Sequence, residues 1–192
     1  MTPSVPWLLI DQGNTAIKWR MADANGLGAE GGVVESAEDL SSFLKPLSWG
    51  AVGISSVGSD DIRVALYKTL SAMSVASIFT AKSESACLGL LNSYAEPERM
   101  GVDRWLAMLA ARDGSKDAFC VIDAGTAVTI DIVTADGQHL GGYILPGPAM
   151  MRRALMTDTG LIRFDAESQP DLSPGQSTAD CVNAGVWRAT CA

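Results

Sequence analysis

An α/β chain built as two similar halves is the fold class this sequence predicts, and three observations predict it. A short apolar run, Leu8-Leu9-Ile10, ends in Asp11 and a turn of small residues, after which a second extended stretch follows. The same order returns around Asp123, 112 positions after Asp11. Between the two, helical and extended stretches alternate, the pattern of layered α/β domains.

The first of these stretches, residues 8–20, reads LLIDQGNTAIKWR. Gly13-Asn14-Thr15 tolerate the unusual backbone angles of a tight turn, and Ala16 to Met21 is expected to be the returning strand. Such a turn can offer backbone N–H groups to a phosphate, Asp11 can hold a metal ion, and Lys18 can neutralise charge. The same residues also suit an ordinary hairpin with a surface Asp.

Composition narrows the function classes. A chain of 192 residues with 47% hydrophobic residues is long enough for a real core and too apolar to be disordered. Net charge is −8, from 14 basic and 22 acidic residues, and no Lys/Arg cluster stands out. Nucleic acid is therefore not an expected partner, and an anionic substrate would have to be met by local basic groups. MTPSVPWLLID lacks the basic start and long apolar core of a signal peptide, and no apolar run is long enough to cross a membrane. Cys87, Cys120, Cys181 and Cys191 form no CxxC, so they read as reduced, mostly buried thiols of a cytoplasmic protein. His139 is the single histidine, which argues against a Ser-His-Asp triad or a multi-histidine metal site.

After the hairpin, DANGLGAEGG reads as a flexible turn region. It holds a GxGxxG match from Gly26 to Gly31, but Gly32-Val33-Val34 looks extended where a dinucleotide site needs a helix. Ser36 caps a predicted helix through Leu44, with Glu38 and Asp39 in its first turn and Pro46 as its stop. Ala51 to Ser55 is a buried strand. Ser59-Asp60-Asp61 opens a helix with Ile62, Leu66 and Leu70 at helical spacing, and Val75 to Phe79 is a short strand. Residues 84–100, with Tyr94 and Pro97, read as a long functional loop.

GVDRWLAMLAARDG then marks an apolar helix that Gly114 ends. Asp103 and Arg104 at its start could face a substrate, with helix N–H groups available to an anion. Equally, Asp103 could merely complement the helix dipole. Trp105, Met108 and Leu109 are candidates for core or for an interface.

Residues 118–134, AFCVIDAGTAVTIDIVT, are the second focal stretch. Strand, Asp, Gly, a Thr-containing turn, a second strand and the hairpin turn Ala135-Asp136-Gly137 repeat the order seen around Asp11. This is an internal duplication at half-domain scale. Halves of 1–116 and 117–192 are expected, with their turns facing across a central cleft. His139 to Gly147 continues as a strand and turn, and Pro148 to Met156 as a helix carrying Arg152 and Arg153. Residues 157–178 are polar and turn-rich, and Ser177 or Thr178 caps a last helix, Ala179 to Trp187.

The paired hairpins resemble the actin–hexokinase superfamily of phosphotransferases. Four ordered segments, DQGNTAIK (11–18), GVDR (101–104), DAGTAVTID (123–131) and GGYILPG (141–147), are similar to those of the type III pantothenate kinase family, some of whose members were first described as Bvg accessory factors. The resemblance implies duplicated ribonuclease H-like halves and transfer of the ATP γ-phosphoryl to pantothenate, the first step toward coenzyme A. It implies an ATP-phosphate segment of Asp11, Gln12, Gly13, Asn14, Thr15, Ala16, Ile17 and Lys18, with Thr126 as a second phosphate contact. It implies a pantothenate site of Tyr94, Gly101, Val102, Asp103, Arg104 and Thr178, with Asp103 as the proton acceptor. Asp123 resembles the ligand of a monovalent cation, K⁺ or NH₄⁺, and Asp11 would meet Mg²⁺ through the phosphates. A cytoplasmic homodimer without membrane or nucleic-acid partners follows from the same resemblance.

The residue types agree with that chemistry. Phosphoryl transfer needs positioning and charge neutralisation more than covalent catalysis. Asp11 and Asp123 in one cleft would repel each other, and bound cations relieve that repulsion. Family members continue with a further strand, Gly-Gly turn and helix near the nucleotide, so the second half is expected to be incomplete. Two other readings stand beside the kinase: another phosphotransferase of the superfamily, and a binding or regulatory protein on a catalytically impaired kinase fold.

Overall fold

Alternation between two faces builds the first half of the molecule. In β1 (Trp7–Gln12), Leu8, Ile10 and Gln12 are buried while Trp7 and Leu9 are exposed, the period-two pattern of a strand with one face covered. It pairs antiparallel with β2 (Ile17–Asp23), placing Asp11 opposite Lys18 and Gln12 opposite Ile17. The turn between them closes with the Gly13 N–H donating to the Ala16 carbonyl at 3.0 Å. The computed structural model in which these elements are seen describes residues 6–45, 47–73, 77–159 and 172–191. It divides into two compact units, Met1–Gly114 and Ser115–Ala192.

In the first unit, β3 (Gly26–Val34), β4 (Ala51–Ser56) and β5 (Ile78–Thr80) complete a sheet of order β3-β2-β1-β4-β5, with β4 parallel to β1 and β5 parallel to β4. Helices α1 (Ala37–Leu44) and α2 (Asp60–Ala72) cover one face, where Leu40, Leu44, Leu66 and Leu70 join Leu8, Ile10, Ile17 and Trp19 in one core. Each leucine buried this way contributes about 2 kcal/mol relative to exposure. Ser36 caps α1 by accepting from the Asp39 N–H at 3.1 Å.

The expected turn region over DANGLGAEGG is instead mostly strand β3. An edge strand needs only backbone to pair, and its glycines admit a close approach that side chains would block. A Cβ on Gly31 would stand 2.8 Å from the Trp19 carbonyl oxygen, and one on Gly32 3.0 Å from the Trp19 indole nitrogen. The GxGxxG match thus lies within a strand, and its last glycine, Gly31, does not open a helix. Of the expected strand over 75–79, Ile78 and Phe79 are strand, and residues 75 and 76 lie outside the described residues, as does Pro46. The loop over 84–100 contains a small ribbon, β6 (Ala86–Cys87) with β7 (Leu90–Leu91), and a single 3₁₀ turn, Pro97–Arg99. Helix α3 (Val102–Gly114) closes the unit and buries Trp105 and Met108.

The second unit opens with β8 (Phe119–Ala124), β9 (Ala127–Val133) and β10 (His139–Pro146), an antiparallel sheet of order β10-β9-β8. The β8–β9 turn closes through the Gly125 N–H to the Ala127 carbonyl at 2.9 Å. Its meander repeats that of β1-β2-β3, with a first turn two residues shorter between the strand ends. Helices α4 (Pro148–Asp158) and α5 (Thr178–Cys191) follow. Ser177 caps α5, accepting from the Asp180 N–H at 3.1 Å and donating to its carboxylate at 2.7 Å. The part of the turn-rich stretch over 160–171 lies outside the described residues.

The expectation of mostly buried thiols is corrected. Cys120, Cys181 and Cys191 are exposed and Cys87 is half-buried. Helix α5 turns Val182, Asn183, Ala184 and Val186 inward, which leaves 181 and 191 outside.

Candidate active site

The first cluster is built by strand register. Asp11 sits one residue from the end of β1, across from Lys18 on β2 and beside Ser55 on β4. The three share one sheet face because paired residues in adjacent strands point the same way. That face lines a cavity of about 770 Å³, together with Arg20, Thr80, Ala81 and, from α3, Leu106. A carboxylate and an ammonium opposite each other, with Arg20 beside them, give a concave surface that can neutralise phosphates and hold a divalent ion between carboxylate and phosphate oxygens. Asn14 and Thr15 are exposed on the turn, Gly13 and Ala16 half-exposed.

Two residues of the segment face the other way. Gln12 and Ile17 are buried on the helix-covered side. The Gln12 side-chain amide donates to the Ile62 carbonyl at 2.9 Å and accepts from the Ser56 hydroxyl at 2.8 Å. Its side chain therefore holds protein and does not point at the cavity.

The second cluster lies at the start of α3. The Asp103 carboxylate accepts from the Arg104 N–H at 2.8 Å, folding back over Gly101. A Cβ on Gly101 would stand 2.6 Å from that carboxylate oxygen, so glycine is what lets Asp103 adopt this position. Arg104 is buried, donates to the Tyr94 hydroxyl at 3.1 Å, and has its guanidinium 5.9 Å from the Tyr94 ring centre. The family resemblance had put Tyr94 and Arg104 in one site, and the fold brings them into contact. Val102 is buried against the core. None of Tyr94, Asp103 and Arg104 lines the cavity around Asp11 and Lys18.

The second unit carries Asp123 at the end of β8, Thr126 in its turn and Thr178 at the start of α5, all exposed. Gly147 donates to the Thr126 carbonyl at 3.0 Å. A Cβ there would stand 2.5 Å from that oxygen and 2.6 Å from the Gly125 carbonyl oxygen. The last glycine of GGYILPG thus shapes the Gly125-Thr126 turn. His139 is fully buried with its Nε2 3.0 Å from the Asp131 carboxylate, a pairing inside the fold and not a catalytic triad.

Comparison with known proteins decides the family of the chain. A family model described as type III pantothenate kinase matches residues 7–192. The chain belongs to the type III pantothenate kinase family. A type III pantothenate kinase from Marinobacter nauticus is 46% identical over 182 residues, covering 93% of this chain and 74% of that protein. One from Pseudomonas aeruginosa is 42% identical over 185 residues, with 93% and 75% covered. A crystal structure of a Campylobacter jejuni protein placed in the Baf family is 21% identical, with a TM-score of 0.60 over 96% of this chain and 75% of that one, which shows a shared fold.

Among the described residues, no three His, Cys, Asp or Glu side chains gather as a ready-made metal site. Two residues next to these clusters were not legible in the sequence. Ser83, a buried hydroxyl, donates to the Met100 carbonyl at 2.9 Å and anchors the chain just before Gly101. Ser55 was read only as the end of a strand, and the register beside Asp11 is what brings it to the site.

Proposed function

We propose that this family member phosphorylates pantothenate at its primary hydroxyl, with the Asp11–Lys18 hairpin holding the ATP phosphates and Asp103 receiving the hydroxyl proton. The product is 4'-phosphopantothenate, on the way to coenzyme A. The pairing of Asp11 with Lys18 on one cavity wall is the observation that carries the phosphate half of this reading. Lys18 neutralises phosphate charge, and the Gly13-to-Ala16 turn offers backbone N–H groups. Tyr94 and Arg104 would hold the carboxylate and amide end of pantothenate, because a buried guanidinium beside a phenol suits an anionic, hydrogen-bonding group. As the substrate oxygen bonds to the γ-phosphorus, the bond to the β-bridging oxygen breaks, ADP leaves with its electron pair, and the hydroxyl proton passes to the Asp103 carboxylate.

Mg²⁺ beside Asp11 would neutralise phosphate charge when bound. Asp123 would hold K⁺ or NH₄⁺, with Thr126 as the second phosphate contact and Thr178 toward pantothenate. The same reading includes a cytoplasmic location and a homodimer. The test is pantothenate-dependent ADP formation with Mg²⁺, with and without K⁺. Asp103→Asn is expected to lower kcat by about 10²–10⁴-fold, the usual worth of a general base, while ATP still binds. Unchanged turnover in that variant would remove Asp103 from the role. Turnover with other alcohols but not pantothenate would replace the substrate, and ligand-induced stabilisation without turnover would make the chain a binding protein.

A further inference from the structure

The residue that follows Asp11 has no role in the reaction as derived, yet it is the most heavily engaged side chain of the segment. Gln12 is fully buried, and three hydrogen bonds leave it for distant parts of the chain. Its side-chain nitrogen donates to the Ile62 carbonyl in the first turn of α2, 2.9 Å away. Its side-chain oxygen accepts from the Ser56 hydroxyl at the end of β4, 2.8 Å away. Its backbone carbonyl accepts from the Val57 N–H at 3.0 Å. The connection from β4 to α2 also leans directly on the hairpin turn, since a Cβ on Gly58 would stand 3.3 Å from the Gly13 carbonyl oxygen and 3.6 Å from Gln12 Cγ.

An amide is suited to this place because it supplies a donor and an acceptor at once, and both are used. A buried amide with either bond missing is penalised, so the three partners hold one another in a single arrangement. Neighbouring residues of a strand point to opposite faces. Gln12 therefore grips the core exactly one residue after Asp11 faces the cavity, and one residue before the turn begins.

We propose that Gln12 is a positioning residue that locks the Gly13-to-Ala16 turn in the shape that receives the ATP phosphates, and that Ser56 is the second half of the clamp. This rests on the assignment of the Asp11–Lys18 hairpin to ATP made above. Gln12 touches no substrate in this reading. It acts through the turn, so loosening it changes the nucleotide site and leaves the Tyr94–Arg104 cluster alone.

The experiment uses the full chain with Gln12→Met, which keeps the length and removes both side-chain hydrogen bonds, and Ser56→Ala, which removes one partner and leaves Gln12 in place. Steady-state constants for ATP and pantothenate are measured, with calorimetric binding of MgATP and hydrogen exchange, without nucleotide, of the Gly13 amide whose bond to the Ala16 carbonyl closes the turn. Gln12→Met is expected to raise the KM for ATP at least tenfold and to speed exchange at the turn, with the pantothenate KM changed less than twofold. Ser56→Ala is expected to move the same quantities in the same direction by a smaller factor. A rise with Gln12→Met but none with Ser56→Ala would make Gln12 a direct ligand and overturn the clamp. Lowered thermal stability with unchanged turn exchange and MgATP affinity would overturn it in favour of a purely structural role. A parent chain that binds MgATP but does not phosphorylate pantothenate would sink the substrate assignment, and the exchange and binding comparisons would still decide the clamp.

Discussion

Asp103 shows how much one glycine can matter to a side chain two residues away. Its carboxylate lies back over Gly101, at a distance that leaves no room for a methyl group. Gly101→Ala must therefore push the carboxylate off its seat, because the side-chain end moves more easily than the helix start. Loss of kcat of roughly the same order as a misplaced general base, tenfold or more, is expected with about 1 kcal/mol or less of lost stability. Urea unfolding alongside the kinetic assay separates the two, and an equal loss in both would mean that the helix start had moved instead. Some of this residue-level detail was legible beforehand. An acid beside an arginine at a helix start reads as a site candidate, and the Asp-Gly-Thr turns announce themselves by residue type. Gln12 was legible only in part. Its place in a motif assigned it to phosphate, whereas the strand's own alternation, Leu8, Ile10 and Gln12 on one face, is the signal that turns it into the core. The His139–Asp131 pair was not legible at all, because the two are brought together by the pairing of β9 with β10.

At the scale of elements, the caps were legible and the glycine-rich strand was not. Ser36 and Ser177 each stand three residues before an Asp, and each makes the reciprocal bonds that this spacing permits. Ser59 occupies the same position before α2 yet makes no side-chain capping bond. The two serines should consequently differ in worth. Ser36→Ala is expected to cost about 1 kcal/mol, and Ser59→Ala less than about 0.5 kcal/mol, as for an exposed position without special contacts. Chemical denaturation of both variants checks the difference, and equal losses would show that α2 is capped in solution by Ser59 after all. Strand β3 escaped sequence reading for a physical reason. Gly31 and Gly32 are there because Trp19 lies against them, its backbone carbonyl at Gly31 and its indole at Gly32, a requirement set by a residue twelve and thirteen positions earlier. Local propensity says turn, and tertiary packing makes the segment a strand.

Across the whole chain, the two units differ in how completely they bury their strands. In the first, β1 is paired on both sides and covered by α1 and α2, and Leu8, Ile10, Val52 and Ile54 are at most 3% exposed. In the second, β8 has β9 as its strand neighbour, and Ile122, Tyr143 and Ile144 are each more than 60% exposed. The relatives quoted above are about a quarter uncovered by this chain; the duplicated meander and an unequal second half were legible, while the exposure of Ile122, Tyr143 and Ile144 was not, because it depends on which strands meet. Local opening free energies follow buried apolar contact and strand pairing. Backbone amides of β1, β2 and β4 are therefore expected to be the last to exchange with solvent in the intact chain, and those of β8 and β10 to exchange at least ten times faster, which corresponds to about 1.4 kcal/mol less protection. MgATP should slow exchange at the Gly13-to-Ala16 turn and, if Asp123 and Thr126 contact the same nucleotide, at Gly125 and Thr126 as well. Protection of the first turn alone would confine the nucleotide to the first unit and strike Asp123 and Thr126 from the site, whereas protection of both by one equivalent of nucleotide would require the two hairpins to act together.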